Sequence, residues 1–175
     1  AIPKFYSGDQ SKLRIDGKFL RCLDRKFSFD AQEFRAIIAP GRISEDNEII
    51  AAYPGEVEEK IEQAIWTLAY DYSQSYPNYL SDPFIFSANS IQTKLIRSGL
   101  HYSIAEITRA VKILSATNIE IQRLDAELKE SVKTFYPISF LEIQYGEIVT
   151  YRIKLNQYFT ASLNEGKFQP NIEKE

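Results

Sequence analysis

Residues 87 to 123 read SANSIQTKLIRSGLHYSIAEITRAVKILSATNIEIQR, and the fold turns on how this stretch is parsed. Ile91, Leu95 and Ile96 recur at helical spacing, and Gly99 stands where a helix stops. Ser103 followed by Glu106 is a capping box, in which each residue's side chain satisfies the other's backbone N–H. It opens a second helix whose inward stripe is Ile104, Ile107, Val111 and Leu114. Asn118 is expected to end that helix in a left-handed conformation, which its short polar side chain tolerates. Ile119 and Ile121 then alternate with Glu120 and Gln122, the period of a strand. Two helices about a tight turn, running into a strand, form the kernel of a winged-helix domain.

The flanks extend this pattern. Upstream, Glu56, Glu58 and Glu59 open a helix, where the N-terminal dipole favours negative charge. Its buried stripe is Val57, Ile61, Ala64, Ile65, Leu68, Ala69 and Tyr72, with Trp66 at the edge. It serves as the supporting first helix. Tyr70 to Pro83 is an irregular connection, and Phe84-Ile85-Phe86 is one short strand. Downstream, Asp125 to Glu130 is either a hairpin tip or a helical turn. Strand material runs from Ile138 to Ile143, and Tyr145-Gly146-Glu147 is a tight turn. Ile148 to Leu155 alternates, with Ile148, Thr150, Arg152 and Lys154 on one face and Val149, Tyr151, Ile153 and Leu155 on the other. The two strands make the wing. Asn156 is read as the cap of a last helix carrying Tyr158, Phe159 and Leu163 and ended by Gly166. Pro170 to Glu175 reads as a frayed end or a linker.

The first 48 residues are predicted to be a β-rich arm packed on the main domain. Leu13 and Ile15, then Asp16-Gly17, then Phe19 and Leu20 form a hairpin pattern. Phe27, Phe29 and Phe34 are spaced to cover apolar surface, and Arg21, Arg25, Lys26 and Arg35 make the arm basic. Ala39-Pro40-Gly41 is a turn, Ser44 to Glu48 a polar loop, and Tyr53-Pro54-Gly55 a second turn. The expected organisation is an arm over 1–48, a winged-helix domain over 49–168 and a tail over 169–175. The fold class is α+β.

Composition narrows the function. With 44% apolar residues, 13% of the chain aromatic, the sequence fills a real core. It lacks an apolar run long enough to span a bilayer and any signal or transit pattern. One cysteine, Cys22, and no N-glycosylation sequon point to a reducing, cytoplasmic location. The absence of methionine even at position 1 reads as a processed chain or an excerpt of a longer one. The chain has no phosphate-binding glycine loop. One histidine, His101, and one distant cysteine do not supply the ligands of a structural zinc site. Glu56, Glu58, Glu59 and Glu62 are read as a solvated helix start rather than a cation site, and the tyrosines as core and interface groups. No catalytic residue, metal or cofactor is therefore expected, and the protein is read as a non-enzyme.

DNA binding is the remaining candidate. The net charge of −3 opposes a generic nucleic-acid binder, since duplex affinity comes largely from Lys and Arg. The charge is segregated, however. Residues 87–123 carry Lys94, Arg97, Arg109, Lys112 and Arg123 against Glu106 and Glu120. With its apolar stripe inward, the second helix turns Ala105, Thr108, Arg109 and Lys112 outward, where a recognition helix meets the major groove. Arg109 suits guanine and Lys112 a phosphate. Lys94, Arg97, Tyr102 and Ser103 fix the register on the backbone, and Arg152 and Lys154 of the wing complete the candidate set. Replacing Arg109 and Lys112 by alanine is expected to weaken DNA binding.

The order of these parts resembles the N-terminal winged-helix domain of Rep-type plasmid replication initiators. AAYPGEVEEKIEQAIWTLA (51–69) resembles the family's first helix and its lead-in. HYSIAEITRAVKILSATNIEIQ (101–122) resembles its second helix and short strand. VTYRIKLNQYFTASLNEGKF (149–168) resembles its strand-to-helix end. The resemblance covers about residues 49–168. It implies binding of double-stranded DNA at origin repeats, self-association as a homodimer, contact with host replication proteins, and no cofactor or membrane. In that family a second winged helix carries the main reading of the site, and these residues do not contain one. A winged-helix transcription regulator, or a dimerisation domain that reads no DNA, fits the same pattern.

Overall fold

Turns placed at left-handed residues divide the amino-terminal third into strands. In the computed structural model, which describes residues 4–29, 31–76, 84–124 and 133–155, a single 3-10 turn (Gln10–Leu13) leads into a small hairpin. Its strands β1 (Arg14–Ile15) and β2 (Phe19–Leu20) are joined through Asp16 and Gly17, both at positive φ. Strands β3 (Leu23–Phe29), β4 (Gln32–Ala39), β5 (Gly41–Glu45) and β6 (Glu48–Ala52) follow. The expected polar loop at 44–48 is instead the end of a β5–β6 hairpin, its turn made by Asp46 and Asn47 at φ 49° and 62°. Asn and Asp tolerate this region because their short side chains bond locally.

Helix α1 (Glu56–Ser75) begins where expected and runs six residues into the predicted connection. Glu58 Oε2 accepts the Gly55 N–H at 2.7 Å. Glu58 and Glu62 are 7% and 2% exposed, so two of the four acids read as solvated are buried. They share a helix side with i, i+4 spacing beside Ile61 and Ile65, which are themselves fully buried. Tyr72, expected inside, is 41% exposed and lays its ring edge-on to Phe84. The remaining elements are β7 (Phe84–Ser87), α2 (Ala88–Arg97), α3 (Ile104–Ala116), β8 (Asn118–Arg123), β9 (Lys133–Phe135), β10 (Ile138–Tyr145) and β11 (Ile148–Leu155).

The chain divides into two compact units, and the division does not fall at residue 48. The first comprises Ala1–Glu59 with Lys112–Pro137, the second Lys60–Val111 with Ile138–Glu175. The first unit is built on an antiparallel sheet of order β3-β4-β8-β9. Here β4 is an interior strand, pairing Ile38 with Leu23 on one side and with Ile119 on the other. Residues of the expected arm thus form the middle of a sheet, and the strand after α3 belongs to that sheet rather than to the wing. Leu20, Leu23, Ile38, Tyr53 and Ile119 make its core, with Tyr6, Leu13, Ala51 and Ile121 packed against it. A second cluster joins Ile43 and Ala52 of the β5–β6 hairpin to Ile113 near the end of α3. The approach is close: a Cβ on Gly41 would stand 2.7 Å from the Ile113 carbonyl oxygen. That same carbonyl accepts the Thr117 hydroxyl at 2.8 Å and its N–H at 2.9 Å. The helix therefore ends on Thr117. Asn118 has no positive φ and is the first residue of β8, contrary to the left-handed stop expected of it.

The second unit contains, in chain order, most of α1, then β7, α2, the first part of α3, and the β10–β11 hairpin. Its sheet has the order β10-β11-β7. The hairpin turns through Gly146, and its register pairs Tyr145 with Ile148. This is the winged-helix topology, helix–strand–helix–turn–helix followed by a wing whose second strand pairs with the short first strand. The segment Lys112–Pro137, inserted before the wing, lies in the other unit. β11 alternates as predicted, with Tyr151, Ile153 and Leu155 buried and Arg152 and Lys154 exposed. On β7, Phe84 and Phe86 are buried and Ile85 is 67% exposed. Burial of Ile107 and Val111, each at 0% exposure, contributes about 1.5–3 kcal/mol per side chain. The predicted helix at 156–166, the tail, and the patch at 125–130 lie outside the described residues.

Candidate nucleic-acid interface

The two helices of the second unit meet at residues 98–103, where each local bond follows from the sequence. Ser87 caps α2, its hydroxyl accepting the Ser90 N–H at 3.0 Å. At the other end Gly99 adopts φ +74°. Leu100 N–H donates to the Leu95 carbonyl at 3.0 Å and Gly99 N–H to the Ile96 carbonyl at 2.9 Å, the two bonds of a Schellman stop. Gln92 Nε2 reaches over the turn to the Tyr102 carbonyl at 2.8 Å. Ser103 then caps α3 through the expected box: its N–H donates to Glu106 Oε2 at 2.7 Å and its hydroxyl accepts the Glu106 N–H at 3.2 Å. The Ser103 N–H, with help from its hydroxyl, holds the Glu106 carboxyl below its ordinary value of 4.5, so it is anionic at neutral pH.

This geometry sorts the candidate residues. Arg97 is exposed in the last turn of α2, beside exposed Ser98 and His101. Ser103 is exposed, with its polar atoms engaged in the box. Tyr102 is half-buried and its carbonyl is taken by Gln92. Lys94 is paired with Asp71 of α1 at 3.1 Å, a surface contact of small energy. Arg109 is half-buried on the same helix side as exposed Ala105. Thr108 does not face solvent: its hydroxyl and that of Tyr151 lie 2.6 Å apart, tying α3 to β11. Burial raises the Tyr151 phenol above its ordinary value, and the Thr108 bond acts in the opposite direction. Because Tyr151 points to the helices, Arg152 and Lys154 point to the other face of the sheet, and the structure does not bring them together with Arg97 and Arg109. Lys112 is half-buried in the part of α3 that belongs to the first unit. Ile96, expected in the buried stripe of α2, is 47% exposed.

Three residues that shape this surface carried no local signal. Asp71 lies 23 positions from Lys94, Gln92 ten from Tyr102, and Tyr151 43 from Thr108. Among the described residues no group of three or more His, Cys, Asp or Glu side chains is placed to hold a metal ion, and no helix is long and apolar enough to cross a membrane.

The topology and the capped turn define an α+β protein with a winged-helix unit. Its fold is shared with a replication initiator: the crystal structure of selenomethionine derivatives of domains 2 and 3 of RctB superposes with a TM-score of 0.60 at 14% identity, over 90% of this chain and 62% of that one. A second RctB structure, also of domains 2–3, gives a TM-score of 0.52 at 13% identity over 82% and 53% of the respective chains. The chain spans about three fifths of the length of the first of these. No family model matches the sequence, and no curated protein matches it.

Proposed function

We propose that this chain is a DNA-contacting, self-associating winged-helix part of a replication initiator, acting without catalysis at repeated sites in a plasmid origin. The observation that carries the reading is the capped helix-turn-helix followed by a wing, in a fold shared with domains of the initiator RctB. Arg97 and Arg109 are the residues assigned to DNA, Arg97 to phosphate and Arg109 to a base edge or phosphate. Thr108 is left out because contact would cost it the Tyr151 bond. The Glu106 carboxylate is turned back onto Ser103, which keeps an anion at the helix start from projecting into a groove. A homodimer contacting host replication proteins belongs to the same reading, as the resemblance to Rep-type initiators implies.

The test is fluorescence anisotropy with duplexes carrying the repeats of the source replicon and with scrambled duplexes, at low and moderate salt. Arg97→Ala with Arg109→Ala is expected to weaken binding about tenfold or more, at about 1–3 kcal/mol for a base contact. Unchanged affinity removes this helix pair from DNA. The acidic pI of 5.4 favours one other reading, a protein-interaction domain that reads no DNA. Absence of any shift at low salt would select it.

A further inference from the structure

The amino-terminal hairpin of the first unit is a rigid element with an unspent surface. Its Leu20, with Leu13 just before it and Leu23 just after it, lies in or against the core formed with Ile38 and Ile119. Gln10 clamps the preceding turn to Tyr53 by two hydrogen bonds of 3.1 Å: its Nε2 donates to the Tyr53 carbonyl and its Oε1 accepts the Tyr53 N–H. Arg21 N–H closes the hairpin on the Leu13 carbonyl at 2.7 Å. Outside, the pattern reverses. Ile15 and Phe19, directly paired across the strands, are 44% and 54% exposed. Arg42 of β5 lies over the Phe19 ring at 5.6 Å, which holds its guanidinium at the surface.

Arg14, Lys18, Arg21 and Arg42 are all exposed, and among the described residues none has a carboxylate at ion-pair distance. Arg14 instead donates to the Lys18 carbonyl at 3.3 Å across the turn. Two other surface cations are paired, Arg35 with Asp24 and Lys94 with Asp71. Within residues 14–21 the one acid is Asp16, at the turn, against Arg14, Lys18 and Arg21, in a protein whose net charge is −3. A local excess of unpaired cations on a scaffold already ordered by its own core lowers the entropic cost of meeting a polyanion.

We propose that this hairpin, with Arg42, is a second duplex-DNA contact, a sequence-independent clamp on phosphates distinct from the helix pair of the other unit. The assignment of DNA as the polyanion rests on the function proposed above. Phe19 and Ile15 seal the contact against the sugar edges, and the cations neutralise phosphates. Such a contact adds affinity and salt dependence without reading bases.

Salt-dependent anisotropy of the full chain on a random-sequence duplex separates the two surfaces. Lys18→Ala, Arg21→Ala and Arg42→Ala combined are expected to lower the slope of log K against log salt by about 2–3, at about 0.9 per lost phosphate contact. The loss should be equal on repeat and scrambled duplexes. Lys18→Arg, Arg21→Lys and Arg42→Lys combined should retain the slope, and Arg42→Gln alone should lower it by about one. An unchanged slope in the triple alanine variant overturns the clamp, whether or not Arg97→Ala with Arg109→Ala weakens binding to the repeats. A changed slope beside an inert Arg97/Arg109 pair keeps the clamp and removes the helix reading. Failure of the unaltered chain to bind duplex at low salt overturns both. Retention on phosphatidylserine vesicles that depends on the same three cations, with no effect on DNA, would reassign the patch and overturn the clamp.

Discussion

Replacing Gly99 by alanine tests the turn on which the helix pair depends, and the structure isolates a single cause for its effect. Gly99 sits at φ +74°, and a Cβ added there would meet nothing within 4 Å. No steric clash contributes, so the cost is the backbone penalty of an L-residue in the left-handed region, about 1–2 kcal/mol. The lower entropy of the alanine-bearing unfolded chain returns about 0.4–1 kcal/mol when native strain is absent, and here strain exceeds it. The opposing bonds, Leu100 to Leu95 and Gly99 to Ile96, hold the residue at this φ and prevent relaxation. The net expectation is a loss of about 1 kcal/mol. Gly99→Asn should lose roughly half as much, because asparagine tolerates this region. Trp66 is the chain's one tryptophan and lies on α1 within the same unit, so its emission during urea unfolding follows the affected part. With m of about 1–3 kcal/mol/M, the midpoint should fall by roughly 0.3–1 M. An unchanged or higher midpoint for Gly99→Ala would refute the left-handed stop and with it the geometry assigned to the turn.

Two further expectations concern the same unit. Thr108→Val leaves the buried Tyr151 hydroxyl without its partner and should destabilise by about 1–3 kcal/mol, while Thr108→Ser should be nearly neutral; equal midpoints for the two variants would argue against the bond. The depressed Glu106 carboxyl sets a pH dependence of definite sign. Its folded pKa lies below the unfolded value, so its contribution is complete above about 4.5 and is lost as pH falls through the folded value. Acid titration followed by the Glu106 side-chain NMR signal should give a midpoint below 4.5, and Ser103→Ala should raise it; a midpoint at or above 4.5 in the unaltered protein contradicts the capping box.

The sequence by itself determined the elements whose cause lies within four or five residues. Ser103 and Glu106 cap one another, Gly99 stops a helix because only glycine enters the left-handed region freely, and β11 alternates because successive side chains point to opposite faces. These local rules were enough for the winged-helix topology. What they left open was decided by partners distant in the chain. Periodicity showed that residues 119–122 form a strand with one apolar face, but not that its neighbour is β4, more than eighty positions earlier, rather than the wing. The same limit hid the burial of Glu58 and Glu62 and the turning of Thr108 to Tyr151. A helix stripe states how much surface must be covered, and only the assembled structure states what covers it. The sorting of the candidate DNA residues therefore came from tertiary structure, since each cation's availability depends on whether a carboxylate such as Asp71 arrives from elsewhere.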